Sequence, residues 1–258
     1  MHLPNAIPLF LIPLTAARTS TPPQHLLSNP PSHSASSFRI PTIHESAVQA
    51  RRILHLSSIA TLSTVFPTVS ADGNRPEALS GAPIGLMDYF ASCGPLPYDP
   101  TILAISIATS FKNTAAGSNI TLSLRYHPPD NRPPSDDIYT YSPANLPRFS
   151  LVGHLERIEK QEVEKWNVSG CFEEKHPDAR AWLPGNRIHE SWWGRLVVEE
   201  VYWIGGFGDR AYIGWIPVDE WRTVTDREVM ECRLVGEKGF KQTEEKSWNR
   251  EGSYKIKL

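Results

Sequence analysis

Apolar and polar positions change their period along this chain, from helical spacing near residue 44 to strand alternation from residue 58 onward. Ala47, Ala50 and Leu54 recur at intervals of three and four, which predicts a helix over 44–55. Thr42 and Glu45 stand in capping-box spacing at its start. Residues 58–65 (SIATLSTV) are rich in β-branched side chains and predict a strand. Residues 82–90 predict a second strand, and 102–108, apolar or small on both faces, a central one. Over 119–126 the alternation is clean. Ile120, Leu122, Leu124 and Tyr126 face one way, and Asn119, Thr121, Ser123 and Arg125 the other. Further strands are expected over 147–158, 191–204 and 211–216, the last two forming a hairpin across Gly205-Gly206. Helices are expected over 111–117, over 160–172 with Val163, Trp166 and Gly170 along one side, and from the PVDEW run at 217–221, where proline suits an early helical position. Asp72-Gly73 marks a turn. The run HPPDNRPP at 127–134 is loop, because proline cannot donate to a ladder. Six or seven strands with a few short peripheral helices describe a mainly β (α+β) fold, a closed or nearly closed antiparallel barrel.

Length and composition set the frame around this pattern. The 258 residues suit one large domain or one domain with tails. Residues 6–17 (AIPLFLIPLTAA) are apolar and end in small side chains, but are too short to cross a bilayer. They read as the core of a signal peptide over 1–17. No other window has the length of a transmembrane segment. Residues 18–41 are Ser/Pro-rich and are expected to be disordered. The barrel domain is placed at 42–222, followed by a charged extension over 223–258 whose part from 236 onward reads as a solvated tail. A net charge of −2 with no basic patch argues against a nucleic-acid partner. It argues equally against polybasic docking to an acidic membrane.

Candidate chemistry is sparse. The three cysteines, Cys93, Cys171 and Cys232, are odd in number and widely spaced, so one bridge with a leftover thiol and three free thiols are equally open. Cys93 has no histidine close in sequence to make it a nucleophile. His189-Glu190 begins like a zincin motif, but Trp193 stands where the second histidine belongs, so no metal site follows. Gly205-Gly206-Phe207-Gly208 precedes a strand rather than a helix and is a hairpin turn, not a nucleotide loop. His154 lies in a strand and reads as structural. Asn119-Ile-Thr121 and Asn167-Val-Ser169 are glycosylation sequons; the second falls inside a predicted helix. Trp182, Trp192, Trp193, Trp203 and Trp215 each bring about 200 Å² of buriable surface and point to core or interface packing before ligand stacking.

Three stretches together carry a resemblance. SIATLSTV follows an N-terminal helix. Pro97-Tyr98 leads to ISIATSFKN at 105–113. HPDARAW at 176–182 is followed by Trp192-Trp193, a long strand, an aromatic and glycine hairpin, and PVDEW. In this order they resemble the CREG family of secreted glycoproteins, within the pyridoxamine 5'-phosphate oxidase-like, FMN-binding split barrels. The resemblance spans about 50–221. It implies a split β-barrel, a homodimer packed barrel against barrel, and a lumen reached through the signal peptide: extracellular, endolysosomal or vacuolar. Enzymatic relatives hold FMN at the subunit interface, whereas the CREG branch is commonly unsuited to flavin. Ser110, Lys112 and Asn113 fall where split-barrel relatives place FMN phosphate-binding groups; capping and surface charge are their plainer reading. Two functions follow. The preferred one is a non-catalytic secreted or vesicular binding protein for a protein receptor or small-molecule ligand, with no catalytic residue assigned. The other is an FMN-dependent oxidoreductase acting on a small substrate.

Overall fold

The computed structural model describes residues 39–68, 76–129, 141–208 and 210–240. The signal peptide, most of the Ser/Pro-rich segment, the Asp72-Gly73 turn, most of the proline-rich loop and the last part of the charged extension lie outside the described residues.

The first element is helix α1 (Ile43–Leu56), which starts on Thr42 with the capping box that the sequence spelled out: Thr42 and Glu45 satisfy each other's backbone N–H. Strands β1 (Ile59–Val65), β2 (Pro83–Ala91) and β3 (Thr101–Ile105) follow. Helix α2 (Thr109–Ala115) precedes β4 (Ile120–Arg125) and β5 (Arg148–Arg157). Short helices α3 (Lys160–Lys165) and α4 (Val168–Lys175), a 3-10 turn over Pro177–Trp182, the long strand β6 (Ser191–Ile204) and β7 (Ile213–Ile216) come next. Helices α5 (Val218–Thr223) and α6 (Asp226–Glu231) close the described chain.

All pairings are antiparallel, and six strands close on themselves in the order β3-β2-β1-β4-β5-β6, with β6 returning to β3; β7 is added to the far half of β6. The alternation read from the sequence decides which side is inside. Ile120, Leu122, Leu124 and Tyr126 are buried, together with Leu62, Ile102, Leu151, Leu196, Val198 and Trp203 from the other walls. Full burial of each such side chain contributes about 1.5–3 kcal/mol. The ring bends at a bulge opposite Val152 and Gly153, where Glu199 is the extra residue between Val198 and Glu200. The predicted strand over 102–108 stops at Ile105, because the chain turns there into α2.

Two layers cover the barrel outside. On one side α4 and the 3-10 turn bury Phe172, Val168 and Ala179 against Trp193, Leu103 and Ala91. A Cys93–Cys171 disulfide ties this layer to the β2–β3 connection, leaving Cys232 as the free thiol. Disulfide bonding also removes Cys93 as a nucleophile. The helix predicted over 160–172 is in fact two. Asn167 takes a left-handed backbone (φ 46°) between α3 and α4, and its amide lies against Gly170, where a Cβ would come within 2.5 Å of Nδ2. Small side chains at that spot make room for the kink.

At one end of the ring, α1 packs on α5 and α6. Packing continues beyond residue 222 into the described part of the charged extension, where Val224, Val229 and Leu234 are buried among its charges. The tail reading from 236 is corrected at Glu237, which accepts Nε and Nη2 of Arg52 in a pair with both side chains under a tenth exposed. Charge-rich composition hid these contacts, because a buried ion pair looks like solvated surface in a sequence.

Candidate functional site

One surface of the barrel is left without a covering layer among the described residues: the outer face of β2-β1-β4-β5-β6-β7. Strand register lines up a single row across it. Met87 pairs with Thr61, Thr61 with Ser123, Ser123 with Ser150, Ser150 with Tyr202, and Tyr202 with Trp215. At about 4.8 Å per strand, the row spans about 24 Å. Its middle is small and hydroxylated, with Ser123 and Ser150 sharing a 2.9 Å hydrogen bond. Apolar bulk stands at both ends: Met87 is 78% exposed and Trp215 49%. Trp215 rests edge-on against Tyr202 at 5.0 Å. An exposed methionine and an exposed tryptophan thus flank a low, hydroxylated floor. The row itself contains no carboxylate, imidazole or thiol.

The residues singled out for an FMN phosphate do not converge. Ser110 and Asn113 are buried, and Asn113 Nδ2 donates to Thr64 Oγ1 at 3.0 Å, inside the end of the ring that α2 closes. Lys112 is exposed, on the other side of the same short helix. Ala108, the residue before α2, offers no capping side chain. A phosphate site needs donors aimed at one point, and this trio is divided between the core and the surface. These residues do not fit the phosphate of a flavin as a set.

Both sequon asparagines are exposed. Asn119 immediately precedes β4, on the side of its outward positions. Asn167 occupies the kink rather than a helix interior, which removes the objection raised by the single predicted helix. His154 is exposed, with Nδ1 2.9 Å from Glu199 Oε1 beside the bulge. Among the tryptophans, Trp193 and Trp203 are core, Trp182 and Trp192 are half-buried, and only Trp215 of the five joins the open face. Arg157 lies over the Trp192 ring at 4.7 Å. No three metal-ligating side chains come together among the described residues, and none of their helices is long and apolar enough to cross a membrane.

The alternation at 119–126 made Thr121, Ser123 and Arg125 readable as an outer face. The continuous row was not readable, because register between distant strands leaves no mark in a single sequence.

Comparison with known proteins bears on the whole barrel. A family model described as CREG, beta-barrel matches residues 41–223. Among solved structures, the heme binding protein from Mycobacterium smegmatis superposes with a TM-score of 0.52 at 16% identity, over 71% of this chain and 61% of that one. The chain therefore spans about three fifths of that protein's length. HutZ, the heme storage protein from Vibrio cholerae, gives a TM-score of 0.41 at 11% identity, covering 68% of this chain and 97% of that one. A putative pyridoxamine 5'-phosphate oxidase from Listeria innocua gives 0.39 at 10% identity, covering 62% and 98%. No curated protein matches. The fold is a closed antiparallel β-barrel of the kind that the family model describes.

Proposed function

Because the chain belongs to the CREG β-barrel family, we propose that it is a secreted or vesicular glycoprotein that works as a binding protein, and that two copies pair through the uncovered outer face. The observation that carries this reading is the row from Met87 to Trp215: it offers apolar contacts and hydroxyls, but no group in it that would move a proton near neutral pH. A second copy presents the same row about a two-fold axis, so Met87 and Trp215 of one subunit would meet complementary positions on the other. The partner recognised by the assembled protein is a protein receptor or a small-molecule ligand.

Several features support a lumenal compartment. The Cys93–Cys171 bridge suits an oxidising environment. Both sequons are exposed, and residues 1–17 have the pattern of a leader. Asn119 lies about 13 Å along β4 from Ser123, so a glycan there would border the row without covering it. The competing reading, an FMN-dependent oxidoreductase, lacks converging donors at Ser110, Lys112 and Asn113.

The test is made on protein secreted from a eukaryotic host. Sedimentation should give a dimer, and Met87→Asp combined with Trp215→Glu should give a monomer with unchanged circular dichroism. A wild-type monomer would overturn the pairing. Glycosidase should increase gel mobility, by less in Asn119→Gln and in Asn167→Gln. A visible flavin absorption band in the purified protein would favour the oxidoreductase instead.

A further inference from the structure

Strand β2 is a full partner of β1 but only a brief partner of β3. It pairs with β1 from Pro83 to Tyr89, and with β3 only at Phe90↔Ile102 and Ala91↔Thr101. Beyond Ile102, β3 stays with β6 as far as Ile105↔Ser191 and leaves β2 behind. The bond from Phe90 N–H to the Ser58 carbonyl fixes which β2 residues turn their backbone toward β1: the even-numbered ones, Ile84, Leu86 and Asp88 among them. Gly85 and Met87 therefore direct N–H and C=O away from β1, where no strand among the described residues receives them. Pro83 has the same parity, so its missing donor falls on this side, as suits proline at a sheet edge. Gly85, Leu86 and Met87 are all exposed. Across the opening, Ile107 and Ile188 are exposed as well, on the two segments that the Ser106 N–H joins through the Glu190 carbonyl.

A charge marks this opening. Asp88 is half-buried, on the same side of β2 as Phe90. Its Oδ1 accepts the Tyr89 N–H at 2.8 Å. No Lys or Arg among the described residues pairs with it, and burial pushes its carboxyl up against the opposing pull of the Tyr89 N–H. A half-buried carboxylate without a cation is complementary to a positive group brought by a partner.

A strand added antiparallel to this edge exchanges main-chain bonds with Met87 and Gly85. Its side chains opposite Asp88 and Leu86 share their face, with Cβ atoms about 4.5–5.5 Å apart. We propose that the open edge of β2 docks an extended peptide segment of a partner protein, which joins the sheet as a strand, sets a basic side chain beside Asp88 and follows it with apolar residues opposite Met87 and Leu86. The proposal rests on the binding-protein reading and specifies its partner. Pairing of copies uses the side chains of the outer row, whereas this contact uses the main-chain edge.

The probe is the blocked, fluorescein-labelled peptide TKVLT, titrated with the full-length secreted protein. Its anisotropy should rise saturably at one peptide per chain. Methylating the valine backbone nitrogen, or making Met87→Pro, should weaken binding about tenfold or more, since each removes a bond across the edge and leaves the bonds to β1 intact. Replacing the lysine by glutamine should weaken binding to wild type about three- to tenfold. Asp88→Asn, which keeps an acceptor for the Tyr89 N–H, should bind the two peptides alike. Melting temperatures check the fold of each variant. Absence of saturable binding to wild type would overturn the proposal, as would full affinity for the methylated peptide. A second copy seated on the edge would show as refusal of the peptide together with a monomeric Met87→Pro, and that result also overturns it. Flavin absorption in the same sample would remove the binding-protein reading and this proposal with it; refusal of the peptide without flavin removes this proposal alone.

Discussion

Gly153 shows how much one residue can decide. It sits at the register shift where β5 meets the bulged stretch of β6, and a Cβ built on it would come within 1.9 Å of the Val197 carbonyl oxygen. Both neighbours are backbone, so neither can swing aside. Gly153→Ala should cost about 3 kcal/mol or more, visible as a lower urea midpoint, because relief would require the bulge to move. Ser123→Ala on the same wall should cost about 1 kcal/mol or less, since it removes one half-buried hydroxyl contact. Equal losses in the two variants would contradict the tight approach at the bulge. Little of this is written locally in the sequence. The glycine in the predicted strand 147–158 looked like any other, since its reason lies 44 residues away. Ile120, Leu122 and Leu124 are the opposite case. Their inward orientation follows from the two-residue period alone, and they are buried as that period requires.

Among the elements, the junction of α1 with α5 and α6 has its own pH dependence. His44 reaches Glu228 through Nε2 at 2.8 Å and Glu220 through Nδ1 at 3.0 Å. Hydrogen bonds donated to two carboxylates, Glu228 foremost, raise the His44 pKa above its ordinary 6.5. Hydrogen bonds from His44, then from the Thr225 backbone, lower Glu228 from 4.5 to about 2. A raised histidine contributes its full stabilisation below about 6.5 and loses it as pH rises through the folded value. A lowered glutamate contributes fully above about 4.5 and loses it as pH falls toward 2. The two windows overlap at mildly acidic pH, where the junction is tightest. Denaturant titrations should show wild type gaining stability over His44→Gln as pH falls from about 8 to about 6. The gain should be no more than about 1 kcal/mol, since half-exposed pairs are screened. A pH-independent difference would rule out this linkage. The elements were unevenly legible. The capping box announced α1. The break at Asn167 was missed because helical periodicity ran on through it, and α6 was missed because Val229 sits among Asp226, Arg227, Glu228 and Glu231.

For the whole molecule, the disulfide joins the outer layer to the barrel across a sequence separation of 78. Removing a crosslink of that span should cost about 3–4 kcal/mol in a Cys93→Ser, Cys171→Ser double variant, read from denaturant unfolding. Neither cysteine belongs to the interior cluster that fills the ring. The double variant should therefore keep the barrel's far-ultraviolet spectrum while proteolysis opens the layer of α3 and α4 first. Simultaneous loss of both would show that the layer and the barrel fold as one unit. The pairing could not be read from three widely spaced cysteines, since it is the packing of α4 back against β2 that brings Cys93 and Cys171 together. Fold class was legible because short alternating segments report barrels collectively, even where individual ends shift by a few residues.

Closure itself imposes an order of events during synthesis. The last seam joins β3, at Thr101–Ile105, to the first residues of β6, at Ser191–Ile204. A nascent chain can pair β1 with β2 and β4 early, but Ser191 to Arg195 must emerge before the ring can seal. Cys171 emerges before that seam is available, so oxidation can staple α4 to the β2–β3 connection while the barrel is still an open sheet. Until β6 arrives, the free margin of β3 is exposed to other chains, and the cell's chaperones have most to guard during that interval.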